Sequence, residues 1–369
     1  MRLLEHHSIV IRGKALLTFL LLFKQDFRWM AIVDPEVKFF HVLDRLSREN
    51  YKYVQCCLLC LIEGIVDIIP LIFSAISEEL NILLNGGRNA SLPSEFDRRI
   101  NTRSEFESLQ LGGNNMIYIA IILDLMQAQC VKGRIVNFGF IKSIATLIDN
   151  CQCSTQDVQS FQGAEEFLNA LLLIVESIAS NQKLLLSLAD PIISVMLPVL
   201  LSKTRGSESS PTTASADIRF LSLKIFTDIV IQYMNDDSVY DPTKDGEVIS
   251  QSAEGNTTRQ LSDLLQSQVF PRLLCLLQDA DPVPLFALKL LSAIVERNPP
   301  LFARQMRKQD PLLLPLIAEN YQVGHPRLNR HTINILKSVI QSKELSLQEV
   351  QHFRLGEKTY MLLKSTTLK

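Results

Sequence analysis

Residues 269–302 set the rhythm of the chain. Apolar and polar positions follow a helical spacing there, broken once at Asp279-Ala280-Asp281-Pro282 and again at Asn298-Pro299-Pro300. Leu273, Leu274, Leu276 and Leu277 follow Pro271, whose missing N–H costs nothing in the first turn of a helix. Pro282 disfavours the α conformation in the residue before it, so the first helix must stop there. A second helix is predicted from about residue 284 to 297, carrying Val283, Ala287, Leu288, Leu291, Ile294 and Val295 along one side. Two helices and a turn make one hairpin.

The stripe recurs. Ile11, Ala15, Leu16, Phe19, Leu22 and Phe23 fit it, as do Val54, Leu58, Leu59, Ile62 and Ile65. Further copies are Ile117, Ile121, Ile122, Leu125; Phe167, Leu171, Leu172, Val175, Ile178; and Ile218, Ser222, Leu223, Phe226, Ile229, Val230. Leu328, Thr332, Ile333, Leu336, Val339 and Ile340 form the last. The shorter steps between copies match the roughly 40–47 residues of HEAT and armadillo units, and the longer steps contain polar inserts. One amphipathic hairpin cannot hide its apolar side, but a stack shares a continuous core. The predicted fold class is therefore all-α: an α-solenoid of about seven armadillo/HEAT-like helical hairpins, with no sheet.

Taken in order, residues 1–84 read as N-terminal helical repeats, with helices at 9–24, 35–47, 50–69 and, after a break at Pro70, 70–84. The chain opens inside what reads as the end of a helix, without a polar-faced cap, which suggests a longer parent. Residues 85–113 form a polar loop insert, and 114–201 are central repeats with helices at 116–129, 133–149, 164–179 and 184–201. A Ser/Thr-rich loop spans 202–216 and a repeat helix 217–235. Residues 236–260 are acidic and polar and are expected to be disordered. C-terminal repeats at 261–355 include helices at 311–320, 327–342 and 346–355, before a tail at 356–369.

Composition narrows the function classes. The 369 residues are 47% hydrophobic with a formal charge of −2, enough for a large core and against an overall electrostatic grip on nucleic acid or an anionic membrane. The odd cysteine count, with Cys56, Cys57, Cys60, Cys130 and Cys275 on helical stretches read as core, is the usage of a reducing, cytoplasmic compartment. The sequons at Asn89 and Asn256 are then incidental. The apolar run 15–23 is read as a repeat stripe, since it lies late for a signal peptide and lacks a small-residue cleavage site. The run 58–76 contains Glu63, Asp67 and Pro70 and is read as a buried helix pair, with no membrane expected as partner.

Chemistry-bearing motifs are sparse. Cys57-x-x-Cys60 sits in mid-helix, where no helix N-terminus lowers a thiol pKa. The Cys151-x-Cys153 pair lacks the further ligands zinc requires. No H-E-x-x-H, P-loop, H-R-D or D-F-G motif occurs, so no catalytic residue, cofactor, metal or small-molecule substrate is assigned, and no enzyme is expected. Basic residues do recur on the second helices: Lys224 and Lys289 at one stripe position, then Lys337, with Arg327 and Arg330 nearby. Such a row suits an acidic peptide or acidic protein surface. These five are the candidate partner-binding residues. Arg304, Arg307 and Lys308 add to the basic character near the C-terminus.

Asp281-Pro282-Val283-Pro284, Ala287-Leu288-Lys289-Leu290-Leu291 and Asn298-Pro299 resemble the helical repeats that follow the kinase-like domain in the Fused-related, unc-51-like pseudokinase and RUNKEL family. Residues 3–23, through Val10, Arg12 and Lys14-Ala15, are similar to an earlier repeat of that family. The resemblance implies a scaffold linked to microtubules, cilia or cell division, with protein partners of that kind and a place at the cytoskeleton or cilium. This chain holds no kinase-like segment, so no site residues of that domain carry over. A nucleic-acid-binding α-solenoid is the alternative. Readers of that type place specificity side chains on each repeat, whereas Leu17, Cys60, Leu123, Leu173, Lys224, Lys289 and Asn334 at the equivalent position form no such code.

Overall fold

The computed structural model describes residues 2–26, 39–84, 113–151, 162–205, 215–244, 253–308 and 326–341, with isolated positions at 317, 348 and 351. The polar insert, the centre of the Ser/Thr-rich loop, the helices expected at 311–320 and 346–355, the tail and Cys153 lie outside or almost wholly outside the described residues. All the described secondary structure is helical. It forms two compact units, Met1–Ile178 and Ala179–Lys369.

In the first unit, α1 (Ile9–Gln25) packs along α3 (Lys52–Leu84), while α2 (Phe39–Ser47) and α5 (Gln129–Ile135) pack on α3 and on each other. α4 (Gly113–Leu125), α6 (Phe138–Asn150) and α7 (Gln162–Ala179) complete it. Ala15, Leu16 and Phe23 of α1 are buried, as are Val54, Leu58, Ile62 and Ile65 of α3, but Leu22 and Leu59 of the predicted stripes are exposed. Gly13 and Gly64 let α1 and α3 approach closely: a Cβ on the first would meet the Tyr53 ring, and on the second the Leu20 side chain. Arg12 closes the N-terminal turn. Its guanidinium donates to the carbonyls of His6 (2.7 Å) and His7 (3.3 Å) and to Glu49 Oε2 (2.8 Å), and lies over the Tyr51 ring.

Three predicted boundaries shift. α3 runs straight through Pro70, which was expected to break it. Pro70 is exposed, so water can serve the carbonyl it leaves unbonded, while buried Ile68, Ile69, Ile72 and Phe73 hold both flanks of the helix in the core. Gln129 opens a helix instead of closing one. Asp44 of α2 accepts from the Gln129 N–H (3.0 Å) and the Cys130 N–H (2.9 Å), an N-terminal cap supplied by another helix. The helix expected at 133–149 divides because Asn137 accepts from the Phe140 N–H (3.0 Å) and starts α6 afresh.

A stretch of α3, Lys52–Glu78, is long and apolar enough to cross a membrane by length and composition, and 56% of its most apolar window is buried within the protein. Lys132 of α5 is buried and donates its ammonium to the Ser177 carbonyl and, at 3.0 Å, to the Ser177 hydroxyl. It thereby serves a carbonyl in the last turn of α7, which has no partner within its own helix.

The second unit opens with α8 (Gln182–Ser187) and α9, a continuous run through Ala189–Pro191, a π-turn at Ile192–Met196 and Leu197–Ser202. α10 (Ala216–Met234) follows, capped by Ser215. Asp236 to Lys244, expected to be disordered, instead fold back on the core. Val239 and Tyr240 are buried, and the Thr257 hydroxyl donates to the Val239 carbonyl at 3.0 Å. Helix α11 begins at Ala253, inside the same expected insert. It runs through Ala253–Leu264, a π-turn at Leu265–Val269, a 3-10 turn at Phe270–Arg272 and Leu273–Leu277. Pro271 therefore sits inside a long helical run. The widened turn ahead of it and the tightened turn around it absorb its missing donor. α12 (Val283–Arg297), α13 (Pro299–Lys308) and α14 (Pro326–Gln341) complete the unit.

Candidate functional site

The candidate residues lie on α10, α12 and α14, the second helices of successive hairpins. α12 packs between the other two. All twelve predicted stripe positions on α10 and α12 are buried, and so are Thr332, Leu336 and Val339 on α14. The small polar residues Ser222, Thr227, Ser292 and Thr332 on these helices are buried.

Polar groups cross from hairpin to hairpin at the edges of this core. Arg219 grips Asp279 with two donors, Nε to Oδ2 at 2.9 Å and an Nη to Oδ1 at 2.6 Å. The pair is nearly enclosed, with side chains 13% and 10% exposed. Burial alone would push the Asp279 carboxyl up, but the hydrogen bonds from Arg219 and the Ala280 N–H, with the guanidinium charge, bring it below the ordinary carboxylate value. The same hydrogen bond raises Arg219 above its ordinary value against the opposing effect of burial. Lys289 donates to Asp228 at 2.7 Å and lies over the Phe286 ring, which meets Phe220 edge-on at 5.3 Å. Arg297 pairs with Asp237. Asn298 donates to the buried Tyr240 hydroxyl at 2.7 Å and caps α13 by accepting from the Leu301 N–H.

These contacts sort the five candidate cations. Lys289 is a rung between neighbouring hairpins, with its charge turned onto Asp228. Lys224 is half-buried and engaged within the fold. Arg327, Arg330 and Lys337 are exposed on α14, and among the described residues they make no ion pair. Sequence reading grouped the lysines by position within a hairpin and missed the aspartates that answer them. The signal was present: the partners of Arg219, Lys289 and Arg297 lie 60, 61 and 60 residues away, one repeat step.

Beside these cations sits His331. Burial, Lys289 and Arg330 together hold its imidazole below the usual histidine value, against a small opposing pull from Glu296. Among the described residues, its enclosed Nδ1 has no hydrogen-bond partner.

The cysteines need one correction. Cys57 is buried, but Cys56 and Cys60 on α3 and Cys275 on α11, all expected in the core, are exposed. Burial raises the Cys57 thiol, and burial with the Asp44 hydrogen bond pushes Cys130 up to about 12, so neither is an activated thiolate. Among the described residues no three His, Cys, Asp or Glu side chains gather as a metal site would require.

Stacked helical hairpins that share one core and exchange ion pairs at repeat spacing define an all-α HEAT-type solenoid. The family described as "Serine/threonine-protein kinase ULK4-like, HEAT repeats" matches residues 92–303, and the chain belongs to it. Among its relatives, the serine/threonine-protein kinase RUNKEL of Arabidopsis thaliana is 28% identical over 294 residues, covering 80% of this chain and 19% of the relative. The serine/threonine-protein kinase ULK4 of Mus musculus is 23% identical over 364 residues, covering 94% of this chain and 26% of the relative. The chain thus spans about a fifth to a quarter of the length of these curated relatives. The matched region is a repeat domain of the kind that serves interaction or scaffolding.

Proposed function

We propose that this chain is a non-enzymatic HEAT-repeat scaffold that binds other proteins in the cytoplasm, within assemblies of the microtubule cytoskeleton, the cilium or the division machinery. The observation that carries the reading is how the second unit spends its polar side chains. Arg219, Asp228, Asp237, Asp279, Lys289 and Arg297 hold hairpin to hairpin. Side chains committed to each other in this way build a rigid surface, and a rigid surface binds with little ordering cost. The cytoskeletal placement leans on the family resemblance.

Crosslinking mass spectrometry on the chain expressed in dividing cells, followed by reconstitution from purified components, tests this. The expected result is at least one cytoskeletal or ciliary protein that rebinds directly with no turnover of nucleotide. Absence of any reconstitutable protein partner removes the scaffold reading, and partners confined to other compartments remove the placement.

A further inference from the structure

Besides Arg219 and Asp228, two side chains of α10 meet the next hairpin: Phe220 lies edge-on to Phe286, and the Thr227 hydroxyl donates to the Phe286 carbonyl at 3.5 Å. Counted from the first stripe residue of each helix, Ile218 and Leu328, the same two positions on α14 are Arg330 and Lys337. Arg327 lies one turn before Arg330, so the three share one side of the helix. The side that on α10 receives the next hairpin is cationic on α14. Neither α14 nor the preceding α13 contains an aspartate or glutamate to answer it. Covering this side with another apolar hairpin would bury cations without counter-charges, which is costly.

We infer that the outer side of α14, through Arg327, Arg330 and Lys337, docks an extended acidic segment of a partner protein. The inference rests on the scaffold reading and narrows it to one surface and one partner chemistry. Arg327 and Lys337 stand about 15 Å apart along the helix. An extended chain covers that in roughly five residues. Carboxylates at alternate positions of such a segment all point to one side, so three of them meet the three cations. Each arginine can take a carboxylate through two parallel hydrogen bonds, which fixes register as well as charge. The chain as a whole is nearly neutral, with a formal charge of −2, so it is the local patch that draws an acidic segment. Burial first, then the charges of Lys289 and Arg330, hold His331 low, so Arg330 of this patch is felt inside the helix. A docked carboxylate cancels part of that charge.

The test is fluorescence anisotropy of the full chain with a fluorescein-labelled peptide of alternating Glu and Gly, against the same peptide with Gln for Glu. Binding of the Glu peptide alone is expected, weakening as salt rises. The triple variant R327E/R330E/K337E is expected to lose at least about tenfold in affinity, while K142E at an exposed position of α6 leaves it unchanged. Circular dichroism melts confirm that both variants fold. The His331 ring resonance is expected to titrate at higher pH with the Glu peptide bound. No binding at low salt, binding indifferent to the triple reversal, or equal binding of a single-stranded RNA of matched charge each overturns the inference. If the peptide fails while reconstituted protein partners still bind, this surface assignment falls and the scaffold reading stands.

Discussion

Arg219 and Asp279 are worth more together than the sum of two surface charges, because each is nearly enclosed. Removing one partner leaves the other buried and unanswered. Asp279→Asn or Arg219→Met is therefore expected to destabilise the second unit by about 2–4 kcal/mol in urea melts, and the double variant R219M/D279L by less than the two singles combined. The same residue scale sets the response to acid. The folded state holds His331 below its ordinary value of 6.5, so the unfolded chain takes the proton first and stability is lost as pH falls below about 6.5. Asp279 is also held low, so its contribution is complete above its ordinary value of 3.8 and drains away as pH falls through the lower folded value. His331→Gln is expected to flatten the first of these two losses and leave the second, a distinction that melts across pH resolve.

Helices were legible where burial is periodic and opaque where a distant group decided the outcome. The stripe shared by Ile218 and Val283 lands wholly in the core on both helices, because a repeating side must face a repeating neighbour. Pro70 was misread because its cost depends on what surrounds it: solvent on the ring side and four buried apolar residues on the other. Gln129 was misread because its cap, Asp44, lies 85 residues back. Lys289 was grouped with the other lysines without its ion-pair partner, because Asp228 belongs to another hairpin. Asp44→Ala is expected to cost about 1–2 kcal/mol and to speed hydrogen exchange at the Gln129 and Cys130 amides before any others in the first unit. At the α1–α3 contact, the side chains met by an added Cβ are the mobile ends of Leu20 and the part-exposed Tyr53. Gly64→Ala should therefore stay within about 1 kcal/mol of the parent, since better helix propensity offsets the displacement of Leu20. Gly64→Leu has no such escape and is expected to lower the melting midpoint clearly.

For the whole molecule, stability in stacked hairpins is a sum of local terms and nearest-neighbour contacts. Asp279→Asn should raise hydrogen exchange most in α10, α11 and α12, and leave the α1–α3 contact of the other unit close to its parental protection. A uniform rise across both units would contradict that accounting.

The three rungs do not all point the same way. At the first, the cation belongs to the earlier hairpin and the anion to the later; at the other two the order is reversed. That mixed polarity acts as a key. If the α10 and α12 hairpins traded places, or if either docked on a copy of itself, at least one lock would set like charge against like or leave it empty. The order of neighbours is thus written into the side chains as well as into the connecting loops. A shuffled or duplicated hairpin would be rejected by its neighbour even though every greasy surface still matched.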